Sequence, residues 1–163
     1  MAAVHNTLSE KGIFKEEIHS ALYKNDGIKE LLIGDMSGMS AKEIREAFKY
    51  HVKSHLFVDE TIKEADSFIY YDVIFPRLSS QIKDCRVMLF AICHRDMLDN
   101  YSKDGYHGNR ADILSEMIVD SLVVNEETAN SFGIGKLSLD SVDVFNSPRF
   151  YGVGMIFNVP NFR

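Results

Sequence analysis

The chain has 163 residues, 45% hydrophobic and 26% charged, which fits one globular domain with enough apolar matter for a single core. Its 24 acidic residues outnumber 18 basic ones, and the formal charge of −6 argues against a protein built to grip nucleic-acid phosphates. No apolar run reaches the roughly 20 residues that cross a bilayer, and Met1 to Thr7 carry no signal-like apolar stretch, so a soluble protein made in the cytosol, with no membrane partner, is expected.

In chain order, residues 1–12 are small and polar and read as a loose arm. Phe14, Ile18, Ala21 and Leu22 recur at helical spacing and predict a helix over Phe14–Tyr23. Asn25-Asp26-Gly27 is a turn signal, Asp26 a candidate cap for a short helix through Ile28, Leu31 and Leu32, and Gly34 its end. Ser40 with Glu43 three residues on forms a capping-box signature. It predicts a helix from Ala41 to about His55 with Ile44, Ala47, Phe48 and Val52 on one face. Leu56-Phe57-Val58 reads as a short strand and Asp59–Asp66 as a charged connection. Ser67 to Phe75 is aromatic and β-branched and predicts a strand, stopped by Pro76.

The run Cys85–His94 predicts a strand apolar on both faces, which calls for cover on two sides. One cover is a helix from Asn109 to about Val124, directing Leu114, Met117, Ile118 and Leu122 inward. The other is the N-terminal helices or a neighbouring subunit. Gly133-Ile134-Gly135-Lys136-Leu137 opens a strand ending near Phe145, Asn146-Ser147-Pro148 turns it, and Phe150–Val159 runs back. Gly152 and Gly154 fall on one face of that last strand, where a tightly packed helix or a subunit contact is expected. The sum is an α+β fold: a mainly antiparallel sheet of about four strands with helices packed against it, plus N-terminal helices, all in one domain spanning 1–163.

Chemistry is hard to find. Cys85 and Cys93 lie eight apart in one strand, roughly 26 Å at strand rise, too far for a disulfide, so two reduced buried thiols are expected. His51 and His55 share a helical face but lack the glutamate that follows the first histidine in a zinc-protease helix. Cys93, His94 and His107 do not make the paired short spacings of structural zinc. Gly133-Ile134-Gly135 lacks the third glycine and the following helix of a dinucleotide loop. Asp96, Asp99 and Asp104 do not keep calcium-loop spacing. No cofactor, metal or catalytic residue is therefore expected. Tyr101, Tyr106 and Arg110, in the polar loop Met97–Arg110, are residue types favoured at protein interfaces. With Arg149 and Tyr151 of the final hairpin they form the candidate subunit or partner interface.

Four passages resemble the tail-terminator (tail-completion, or neck) proteins of long-tailed bacteriophages and prophage elements. Ser67-Phe68-Ile69-Tyr70-Tyr71-Asp72-Val73 with Pro76 is similar to that family's first long strand, and Val87 to His94 to its second. Gly108-Asn109-Arg110-Ala111-Asp112-Ile113-Leu114 is similar to its helix start. Phe132 to Leu137, through Phe145-Asn146 and Tyr151-Gly152, is similar to its closing hairpin. The resemblance covers about the last four-fifths of the chain. It implies a structural virion protein of the neck, with no catalytic residues. Such subunits form rings, commonly hexamers, that cap the tail tube, meet the head connector and let DNA pass through the lumen. A head-completion or adaptor protein of the neck is the first alternative. A metal-dependent hydrolase using His51, His55, Cys93 or His94 is the enzymatic one.

Overall fold

The computed structural model describes residues 2–79, 83–124 and 137–159. Three helices come first: α1 (Ala2–Tyr23), α2 (Asp26–Ile33) and α3 (Ala41–His51). Strands β1 (Val52–Lys53), β2 (Ser67–Leu78) and β3 (Lys83–His94) follow. A 3-10 turn (Arg95–Met97) leads to α4 (Arg110–Val119), which continues as a π turn (Asp120–Val124). Strands β4 (Ser138–Asn146) and β5 (Phe150–Asn158) close the fold. The five strands run in the order β1-β2-β3-β5-β4, antiparallel throughout except for the parallel pair β1–β2. The α+β architecture read from the sequence is the observed one.

Local signals explain most boundaries. Ser40 and Glu43 make the full capping box: the serine hydroxyl accepts from the Glu43 N–H at 3.2 Å, and the Ser40 N–H donates to the Glu43 carboxylate at 2.7 Å. Asn109 and Asp112 repeat it at the start of α4, both bonds 3.0 Å. Gly108 just before has φ 97°, and a Cβ there would stand 2.5 Å from the Asp112 carboxylate, so only glycine fits beside this cap. Asn25, not Asp26, caps α2, accepting from the Ile28 N–H at 3.1 Å. The other end of its amide donates to the Ser121 hydroxyl at 2.8 Å and to the Met117 carbonyl at 3.4 Å. A side chain thus bonds into the helical ladder just where α4 loosens into its π turn.

All helices occupy one face of the sheet. Phe14, Ile18 and Leu22 of α1, Ile28, Leu31 and Leu32 of α2, Phe48 of α3 and Leu114, Met117, Ile118 and Leu122 meet Ile69, Tyr71, Val73, Val87, Leu89, Ala91, Val153, Met155 and Phe157 in one core. The inward face expected for α4 is the one observed. Cys85 and Cys93 are buried, and neither is in a disulfide.

Further expectations need correction. The segment expected to be a loose arm is the first half of α1, and Thr7 within it is buried. The helix at Ala41 stops at His51, because the His51 ring bonds the Ser67 carbonyl at 2.8 Å and Val52 is drawn into β1 beside Ile69. The short strand is therefore Val52–Lys53. Leu56 and Val58, expected to be strand, instead fold under the sheet with Ile62 to cover Phe68, Tyr70, Ile92 and Phe150. The second sheet face is thus covered at one end by this segment, and the N-terminal helices lie in the same layer as α4. Strand β2 does not stop at Pro76: the register shifts between Ile74 and Arg77, which accommodates a residue with no N–H to donate, and pairing resumes at Arg77–Asp84.

The glycine face also differs from expectation. Gly152 and Gly154 lie on the side away from the helices. A Cβ on Gly152 would meet the Ala91 carbonyl oxygen at 2.1 Å and the Ile92 side chain at 2.7 Å. The Phe90 ring lies over Gly154, and Phe145 stacks against Phe90 at 5.2 Å between ring centres. A cross-strand aromatic, not a helix, fills the space the glycines leave. The glycines at 133 and 135 lie outside the described residues.

Candidate functional site

Of the five residues expected at an interface, Tyr101, Arg110, Arg149 and Tyr151 lie near the end of the sheet where β2 and β5 begin and β3 ends, while the Tyr106 hydroxyl reaches the far end of α4. Arg95 sews this end together. Its Nε donates to the Ser147 carbonyl at 3.0 Å, its guanidinium bonds the Asn146 side chain, and its N–H donates to the Arg149 carbonyl at 2.9 Å. The 95–109 loop and the β4–β5 hairpin are therefore one unit, a role for Arg95 that the sequence does not announce.

Within that unit most of the five work inside the chain. Arg110 donates from Nε to the Ser67 hydroxyl at 2.9 Å and from Nη2 to the Leu31 carbonyl at 2.5 Å, and its guanidinium lies 5.0 Å from the Tyr101 ring centre. It ties α2, β2 and the loop to the head of α4. Tyr106 donates to the Asp120 carboxylate at 3.0 Å. Arg149 donates to the Ile62 carbonyl at 3.2 Å, holding the segment that covers the second sheet face. Tyr101 and Arg110 also line a groove of about 760 Å³ against α2 and the start of α3. Tyr151 is half-buried, in register with Cys93 and Asn146.

The residues weighed for metal chemistry do not converge. His51 is buried, beside Asp66 at 3.5 Å, while His55 is exposed beyond the end of α3. His94 caps the 3-10 turn through the Asp96 N–H at 3.2 Å. Burial pushes the Cys93 thiol up to about 11, against the smaller opposing pull of the Ser67 hydroxyl and the Arg110 charge. Among the described residues no three His, Cys, Asp or Glu side chains are grouped as a metal site.

The most unusual surface is the sheet edge at β4. In this strand Leu139, Val142 and Val144 are in register with Phe157, Met155 and Val153, so they share the helix-bearing face. Their partners on β5 are buried, yet Leu139, Val142 and Val144 are 38%, 58% and 68% exposed. Among the described residues the helix layer packs on β5 and leaves β4 open. No described strand pairs with the outer edge of β4.

The opposite side of the sheet is treated differently. There β1 covers only Ile69 and Tyr70. Further along, Asp72 is met by Lys15 at 2.9 Å and Lys11 at 3.5 Å from α1, and Pro76 and the register shift interrupt the strand. Charges, a proline and a bulge are the devices that keep an edge from pairing with other chains. β4 has neither lysine nor proline; its protection is two exposed aspartates, Asp140 and Asp143, and a register shift at Asp140. The alternation Ser141-Val142-Asp143-Val144 signals a half-buried strand in sequence. Only the topology shows that no described helix or strand covers its apolar half.

Among the described residues no helix is long and apolar enough to cross a membrane. No curated protein and no solved structure matches the chain. Residues 16–159, nearly nine-tenths of its length, match one family, that of YomW. The chain therefore belongs to the YomW family, a Bacillus phage- and prophage-type family.

Proposed function

We propose that the protein is a structural component of the phage particle that works by self-association: a tail terminator whose copies form a ring on the end of the tail tube and join it to the head connector. The observation that carries this reading is the β4 edge. A row of three exposed apolar side chains beside an edge that no described strand pairs is costly to leave in water and ready to accept a partner. β4 against β4 would set Asp140 and Asp143 of two copies near one another, which is unfavourable. A contact between β4 and a different surface of the next copy avoids this. Such head-to-tail contacts generate closed rings when the rotation closes. The phage-type family supports a place among the components of a phage.

Electron microscopy of the purified chain mixed with isolated tail tubes tests the proposal. Rings seated on tube ends are the expected image. Binding to the portal side of the connector, with bare tubes, would reassign the protein as a head-completion or adaptor component. Neither rings nor binding would remove the virion role.

A further inference from the structure

A second feature stands apart from the sheet edge and does not rest on the ring reading. Between α1 and the junction of α3 with β1 lies a cleft of about 480 Å³. In a chain of net charge −6 its walls carry Lys15, Lys49, Lys53, His19 and His55 against a single acidic side chain, Glu16. We propose that this cleft binds the phosphate group of a small phosphate ester.

The geometry assigns the parts. Lys15 is committed to the scaffold: its ammonium donates to the Ser54 carbonyl at 2.8 Å and pairs with Asp72 at 2.9 Å, fixing one wall. Lys49 is exposed, and the Lys53 ammonium lies 5.3 Å from the centre of the exposed Tyr50 ring. These two lysines flank the helix-to-strand junction and supply the positive charge that meets the ligand. His55 accepts from the Phe57 N–H through Nδ1 at 3.4 Å, so Nε2 is the ring nitrogen left to meet a ligand. His19 packs edge-on against Phe48 at 5.2 Å, and its pKa is lowered first by burial and then by the charge of Lys49. The field of Lys49 therefore reaches His19, and an anion placed beside Lys49 reverses that effect. Val52 and Tyr71, both buried, form the floor of the cleft.

Two lysines in a concave site, Lys49 and Lys53, suit one phosphate, not a long polyanion. The overall negative charge opposes duplex nucleic acid, whose binding needs many phosphate contacts.

The test is proton NMR of the His19 and His55 rings in the full chain, titrated with inorganic phosphate, with adenosine monophosphate and with a short DNA duplex. Saturable shifts at millimolar inorganic phosphate, tighter binding of the monophosphate ester and a raised His19 titration midpoint are expected. Lys49→Gln with Lys53→Gln should weaken binding about tenfold or more with an unchanged melting temperature, while Lys49→Arg with Lys53→Arg keeps binding. The proposal is overturned by the absence of saturation at about 20 mM ligand, by unchanged affinity in the glutamine double variant, or by tighter binding of the duplex than of the ester.

Discussion

Arg110 and Asn25 each join elements that are distant in sequence, and both do so through more than one bond. Arg110 holds a hydroxyl on β2, a carbonyl at the end of α2 and an aromatic ring in the loop. Hydrogen bonds from a charged donor contribute about 1.5–3 kcal/mol each. Replacing Arg110 with alanine should therefore lower the unfolding free energy in urea by about 2–4 kcal/mol. Lysine should restore only part of this, because a point charge cannot serve both acceptors in the guanidinium's fixed directions. An interface residue would instead leave stability unchanged and weaken assembly. Asn25 offers a cleaner dissection. Asn25→Asp keeps the acceptor that caps α2 but loses the donor to Ser121 and Met117, and should cost about 1 kcal/mol. Asn25→Ala loses both ends and should cost about 2 kcal/mol. No loss in Asn25→Asp would show that the tie to α4 contributes nothing, and equal losses in the two variants would show that the cap of α2 contributes nothing.

At the scale of elements, what was legible in the sequence is what short-range chemistry dictates. The Ser40–Glu43 box, the inward face Leu114-Met117-Ile118-Leu122 and the doubly apolar strand through Cys85–His94 all follow from spacing. The misread parts depend on partners far along the chain. The first half of α1 has little amphipathic pattern of its own. Val52 leaves the helix because Ile69 lies beside it, and β2 runs past Pro76 because β3 absorbs the shift. The role of Gly152 was invisible for the same reason: its neighbour is Ile92 on another strand. Gly152→Ala should destabilise by about 1–3 kcal/mol, since the added methyl meets a backbone carbonyl that cannot move aside.

The central strand also sets an alkaline response. Cys93 has its folded pKa raised by burial, from an ordinary 9.0 to about 11. The unfolded thiol ionises first, so the stability it contributes is full below about pH 9 and is lost as pH rises towards 11. The unfolding free energy of the wild type should fall more steeply than that of Cys93→Ala across this window. Parallel curves would contradict the assignment.

For the whole molecule, the candidate site was legible only in part. Tyr101, Arg110 and Tyr106 make their contacts inside the chain, and tyrosine and arginine bond inward as readily as outward. Residue type alone does not distinguish the two. The surface that now carries the functional reading, Leu139, Val142 and Val144, looked like any half-buried strand until the order β1-β2-β3-β5-β4 placed it on the outside. Paired backbone and buried valines at that edge would stabilise an assembly while leaving the subunit fold unchanged. Val142→Asp with Val144→Asp should therefore give a folded protein with the wild-type melting temperature at low concentration. The most direct test is the mass of the full chain in solution across a concentration series, measured beside this double variant. The self-association account predicts a closed oligomer for the wild type and a single 18.5 kDa chain for the variant. A wild type that stays a single chain at every concentration, or a variant that assembles just as well, would contradict it.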